Sequence, residues 1–225
     1  MGKDLKLIEI TPLPTGGVSV NTMHLSWATS AFYFGILAGL YPLTFVVQKF
    51  SLGRVLATVI FVWGVTCMST AAVTTYQGLY VQRFFLGFIE STIPTCFMCV
   101  VSNFYTQREQ GVRQSFWLSG TGIFTILGGA LNYGFSRITG GNLHSWQYIY
   151  LLAGVLTILW SFWTLAMPTS PATAWFLSNE HRLVAVERLR RGQGGMRCET
   201  FKSSHILEGL LDVKTWLIFV MMATA

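Results

Sequence analysis

Four stretches of this chain each run for more than twenty residues without a single Lys, Arg, Asp or Glu: 25–47, 55–76, 114–136 and 146–167. A fifth, 78–105, does the same apart from Arg83, Glu90 and nothing else. A bilayer hydrocarbon core about 30 Å thick is crossed by about 20 helical residues. In lipid, backbone polar groups must find partners within the segment, which restricts such stretches to helices. Composition agrees: 52% of residues are apolar and 11% charged, against roughly 25% charged in soluble domains. The sequence therefore predicts an all-α membrane protein with a bundle of five spans over residues 25–167.

The flanks are of a different kind. Residues 1–24 have no apolar region of signal-peptide type and read as a flexible polar tail rich in Pro and Gly. Residues 168–215 form a polar segment in which Leu183, Val186 and Leu189 recur at helical spacing between charges. This predicts a solvated helix on the membrane face, capped by Ser178 or Asn179. The run Gly192-Gln193-Gly194-Gly195 breaks it, and a second short interfacial helix is expected over 203–216. Residues 216–225 read as the start of a further span.

Loop charges orient the bundle. Of fifteen Lys and Arg residues, eleven fall in alternate links: Lys49 and Arg54, Arg108 and Arg113, then Arg182 through Lys214. Lys3, Lys6 and Arg137 lie on the other side. Positive charge gathers in cytoplasmic loops, so the first set is cytoplasmic. The net charge of +6 needs no nucleic-acid partner. With five spans this leaves the basic N-terminal tail outside, which one extra span before residue 25 would repair. The sequence thus reads as an excerpt from a longer membrane protein. No cofactor or metal is expected. Cys67, Cys96 and Cys99 lie in spans, Cys198 lies in a polar loop, and they lack the further ligands of a zinc site.

Several residues mark helix packing. Gly35 and Gly39 form a small-xxx-small face, and 114–136 carries Gly120, Gly122, Gly128, Gly129 and Gly134. Such residues let membrane helices approach closely. Pro94 removes a backbone donor and clashes with the carbonyl of residue 90, so a kink is expected beside Glu90.

Arg83 and Glu90 are the anomaly. Seven residues turn a helix through about 700°, which points both side chains in nearly the same direction, about 10 Å apart along the axis. Gly87 lies on the same stripe. Counting from Gly78, Arg83 is about 8 Å deep and Glu90 about 18 Å, near the midplane. Charges at such depth are costly and face a partner or a wet cavity. Two readings follow. Glu90 bonds a polar group on a neighbouring helix and fixes packing, or the stripe is a site where Glu90 exchanges a proton and Arg83 holds an anion.

"LYVQRFFLGFIES", with Arg83 four residues before Gly87, resembles the fourth-helix motif of the major facilitator superfamily. "LSWATSAFYFGILAG", "WLSGTGIFTILGGALNYG", "PTSPATAWFLSNEHRLVAVERLR" and "LLDVKTWLIFV" resemble the fungal allantoate permease family of anion:cation symporters. The resemblance implies a twelve-helix transporter of two halves, of which this chain supplies helices two to six and the start of helix seven. It further implies a gating loop at Lys49, Gly53 and Arg54, with Gln48 where the family carries an acid. Thr121 and Thr125 stand where relatives carry amides, so they become candidate substrate contacts. The fifth helix lacks the proline motif of drug antiporters, which favours symport.

The function expected from this resemblance is secondary transport of a small organic anion together with a proton, in the plasma membrane. Allantoate, ureidosuccinate and carboxylate vitamins are the implied substrates. The alternative is a truncated, non-transporting membrane protein that acts at most as an interaction partner, since the C-terminal half needed for a complete cavity is missing. An enzyme is not expected: there is no nucleophile-and-base arrangement and no phosphate-binding glycine loop.

Overall fold

The computed structural model describes residues 9–12, 18–137, 143–168, 170–191 and 211–224. Helices dominate: α1 (Met23–Lys49), α2 (Leu52–Ser69), α3 (Tyr76–Glu90), α4 (Thr92–Phe104), α5 (Gln107–Ser136), α6 (Ser145–Leu165), α7 (Asn179–Arg191) and α8 (Val213–Thr224). Short 3-10 turns follow α2 at Thr70–Ala72 and α6 at Pro171–Thr173. Within the stretch read as a polar tail, β1 (Glu9–Pro12) and β2 (Val18–Asn21) pair as an antiparallel ribbon, Ile10 opposite Val20. The interfacial helix expected over 203–216 falls largely outside the described residues, as do the break at 192–195 and Cys198.

Among the described residues, four segments are long and apolar enough to cross a membrane: Met23–Lys49, Leu52–Ala72, Tyr76–Phe104 and Ser145–Leu165. Helix α5 is longer than any of these and unbroken over 30 residues, but glycine, serine and threonine dilute its apolar content. The bundle turns a large apolar surface outward. Phe124 is 74% exposed and Trp163 76%, values that suit lipid contact and would be a liability in water.

Two helix pairs form the frame, α1 against α3 and α2 against α6. At one end Val47, Leu52, Val55, Leu56, Ile60 and Cys96 make a buried core, with Met167 packed on it. At the other, Ala28 and Leu79 pack with Val73, Tyr76 and Tyr80. The third span breaks at Ser91, between α3 and α4. Pro94 has no N–H to offer the Glu90 carbonyl, and the helix restarts one residue on. Ser91 Oγ donates to the Phe88 carbonyl at 2.7 Å.

The chain ends of the spans sort onto two faces. On the face with Lys49, Gly53 abuts the carbonyl of Met167 at the end of α6. There Arg188 of α7 also pairs with Glu109 in the first turn of α5. Ser178, just before α7, caps it: its Oγ accepts from the His181 N–H at 3.4 Å. On the opposite face the Gln147 amide donates to the Ala71 carbonyl at 2.6 Å. His24 Nδ1 there meets the Tyr80 hydroxyl at 2.7 Å.

Candidate functional site

Helix α3, which carries the polar stripe, packs against α1 through glycine. A Cβ on Gly87 would lie 2.1 Å from the Phe32 carbonyl oxygen. One on Gly35 would lie 2.1 Å from the Phe84 carbonyl oxygen, and one on Gly39 2.4 Å from that of Phe88. The α1 and α3 backbones therefore touch.

Gln82 makes the first cross-link. Its Nε2 donates to the Thr66 carbonyl at 3.0 Å and to the Thr70 hydroxyl at 2.7 Å, which ties α3 to the end of α2. Arg83 follows. Its Nη2 donates to the Tyr150 hydroxyl of α6 at 2.9 Å, and its Cζ stands 5.9 Å from that ring's centroid. Arg83 and Glu90 are not paired with each other; two helical turns separate them, about 10 Å. Glu90 instead interacts with the indole N–H of Trp63 on α2. That N–H is buried and closes no hydrogen bond of full geometry. Cys67 of α2 lies within electrostatic reach of both Arg83 and Glu90. Two more buried polar atoms are without a partner nearby, Gln82 Oε1 and Thr92 Oγ1. A seam of polar groups thus runs between α2, α3 and α6 at membrane depth.

The other expected residues lie elsewhere. Thr121 and Thr125 are exposed on α5, where the Thr125 hydroxyl donates to the Thr121 carbonyl at 2.8 Å. Neither is hydrogen-bonded to Arg83 or Glu90. Gly128 and Gly129 have nothing within 4 Å of a would-be Cβ among the described residues, so the close contact expected of them is not made there. Close packing occurs instead at a pair the sequence did not single out, Gly64 and Gly154, where α2 meets α6. In the loop, Gly53 is buried against α6 while Lys49 and Arg54 are exposed.

Residues 11–225, nearly the whole chain, match the Major Facilitator Superfamily model. The chain belongs to the major facilitator superfamily. It is therefore a multi-pass membrane protein, in keeping with its four span-length apolar helices. Its relatives are fungal transporters. It is 35% identical over 197 residues to an uncharacterized transporter of Schizosaccharomyces pombe, covering 87% of this chain and 38% of that one. The allantoate permease of Saccharomyces cerevisiae is 36% identical over 200 residues, 87% of this chain and 37% of the permease. A thiamine pathway transporter of the same yeast is 34% identical over 182 residues, 80% of this chain and 35% of its own length. The chain thus spans a little over a third of the length of these relatives.

Within this superfamily member, three of the polar seam's residues escaped sequence reasoning. Gln82 adjoins Arg83 and was the easiest to suspect. Trp63 and Tyr150 are aromatic residues inside apolar runs, and nothing local distinguishes them from lipid-facing neighbours. Tyr150 is 67 positions from Arg83. Only the folded chain, in which the Arg83 guanidinium of α3 reaches the Tyr150 hydroxyl of α6, reveals its role.

Proposed function

We propose that this chain forms one wall of a transport path for a small organic anion that moves together with a proton. The observation that carries the reading is the Arg83–Glu90 stripe. Two opposite charges share a helix face and a polar seam, yet neither neutralises the other. Arg83, nearer the outer face, supplies a permanent positive charge for a carboxylate. Glu90, near the midplane, can take up and release a proton as the path alternates. The Trp63 indole N–H beside Glu90 and the unpartnered Gln82 Oε1 add donor and acceptor capacity along the same seam. Thr121 and Thr125 complete the set as hydroxyl contacts from α5, and the Lys49–Gly53–Arg54 loop gates the cytoplasmic end.

The likeness to an allantoate permease and a thiamine pathway transporter supports small polar metabolites as substrates. Allantoate, ureidosuccinate and carboxylate vitamins are the first to test, with the plasma membrane as the site of action. The experiment is uptake of labelled allantoate and related carboxylates, in the full reading frame, by a host lacking its own permeases. Uptake should rise as external pH falls, and Glu90→Gln should remove that dependence. A Glu90→Gln variant whose uptake still follows the proton gradient would overturn Glu90 as the coupling group.

A further inference from the structure

A guanidinium about 8–10 Å inside the membrane needs a partner, because an uncompensated charge there is costly. Glu90 is too far to serve directly. The group that does serve is neutral: the Tyr150 phenol, 2.9 Å from Arg83 Nη2, with its ring 5.9 Å below the guanidinium carbon. We propose that Tyr150 is the resting cap of Arg83, a built-in stand-in that a carboxylate displaces when it binds.

The geometry supports both halves of that statement. Tyr150 is held in place independently of Arg83. Its ring meets Trp146 edge to face at 6.3 Å, and Trp146 stacks on His144 at 6.4 Å. Gln147, between them, fixes the first turn of α6 to the Ala71 carbonyl. The cap is also weak enough to leave. A phenol accepts one hydrogen bond and offers a ring face, but it leaves the positive charge in place. A carboxylate that takes two guanidinium N–H groups in parallel, the Nη2–H now held by Tyr150 among them, neutralises the charge as well, so it outcompetes a phenol. Had Arg83 been paired with Glu90, an incoming anion would have had to break an ion pair instead. The arrangement selects for a planar anion with two oxygens rather than for a neutral polar solute.

This inference rests on reading Arg83 as the anion's contact, and one experiment separates the two. The full chain is placed in lipid nanodiscs and treated with phenylglyoxal, which modifies accessible guanidinium groups. Modification of Arg83 is followed by mass spectrometry, with exposed Arg54 as the internal reference. Tyr150→Phe keeps the ring and removes the hydroxyl; Arg83 should then react about fivefold faster, what one hydrogen bond of ordinary strength is worth. Tyr150→Leu, which also removes the ring, should react faster still. Allantoate should protect Arg83 in the parent, and at about fivefold lower concentration in Tyr150→Phe. Equal Arg83 reactivity in the parent and both variants would overturn the cap. Faster reaction in the variants with no protection by allantoate, ureidosuccinate or benzoate would overturn displacement, and with it the anion reading of Arg83.

Discussion

Where α1 crosses α3, Gly35, Gly39 and Gly87 bring two backbones into contact, each leaving no room for a methyl group. Along α5, the five glycines Gly120, Gly122, Gly128, Gly129 and Gly134 are more numerous but meet nothing within 4 Å of a would-be Cβ among the described residues. The same residue therefore has opposite meanings on two helices of one bundle. In the first case glycine is required by the neighbour; in the second, the described structure gives no steric reason for it. Spacing cannot separate these cases, because a small-xxx-small pattern records only what a face would permit. Helix α5 is instead held in its first half, where Glu109 in the first turn pairs with Arg188 and, further along, Trp117 stacks on Phe97 at 5.5 Å.

The largest effect is expected at Gly87→Ala. The added carbon would sit 2.1 Å from the Phe32 carbonyl oxygen, and backbone cannot swing aside as a side chain can. Helix α1 must move, at a cost of about 1–3 kcal/mol for overpacking of this kind. Denaturant titration of the purified chain in detergent should read that loss. An unchanged midpoint would show that α1 and α3 do not approach so closely. Gly154→Ala should cost less, about 1 kcal/mol. Its nearest obstacle is Cγ of the Met68 side chain at 2.1 Å, although the Gly64 carbonyl oxygen stands behind it at 2.9 Å. Removing the Met68 side chain in the same molecule should recover part of the loss, a coupling that independent sites would not show.

These contrasts mark what the sequence makes legible. The spans follow from uninterrupted apolar runs, because a bilayer imposes one length on every helix that crosses it. The break beside Glu90 follows from Pro94, a local steric effect that needs no knowledge of neighbours. The close approach at Gly35 and Gly39 is suggested by their spacing. The Gly64–Gly154 contact and the Arg83–Tyr150 bond are not, because each joins single residues from segments far apart in the chain. Their partners are set by which helices pair, and an apolar run carries almost no information about its neighbour. The same gap explains α5: glycine density is visible, but what faces the glycines is a tertiary fact.

At Gly128→Ala the sign should reverse. With no atom to meet, the new methyl group meets no steric penalty and adds helix propensity, up to about 1 kcal/mol. The midpoint should stay level or rise in the same titration that exposes Gly87→Ala. If instead it falls by as much, another element covers this face of α5 and the comparison with α1 collapses. If it holds while uptake by the full reading frame is lost, the glycines serve passage or motion rather than stability.

The smallest effect concerns the end where α5 is anchored. Glu109 accepts from the Thr106 backbone N–H at 3.3 Å, and this bond, then the nearby Arg188, holds its carboxyl below the usual carboxylate range. A carboxyl depressed in the folded chain stabilises it above the unfolded value of about 4.3 and loses that contribution as pH falls through the depressed value. Both side chains are substantially exposed, Arg188 at 63% and Glu109 at 37%, so water screens the pair and the effect is slight. Hydrogen exchange in α7 should nonetheless resolve it. At neutral pH the amides of α7 should exchange more slowly in the parent than in Glu109→Gln. Compared at each pH in turn, the two should converge once the pH drops below the carboxylate range. Convergence already at neutral pH would mean that the ion pair does not hold α7 against α5. The start of α5 would then be fixed by its other contacts, Trp117 on Phe97, Arg113 over the Tyr105 ring, and the Gln110 amide, which donates to the Tyr105 carbonyl at 3.1 Å.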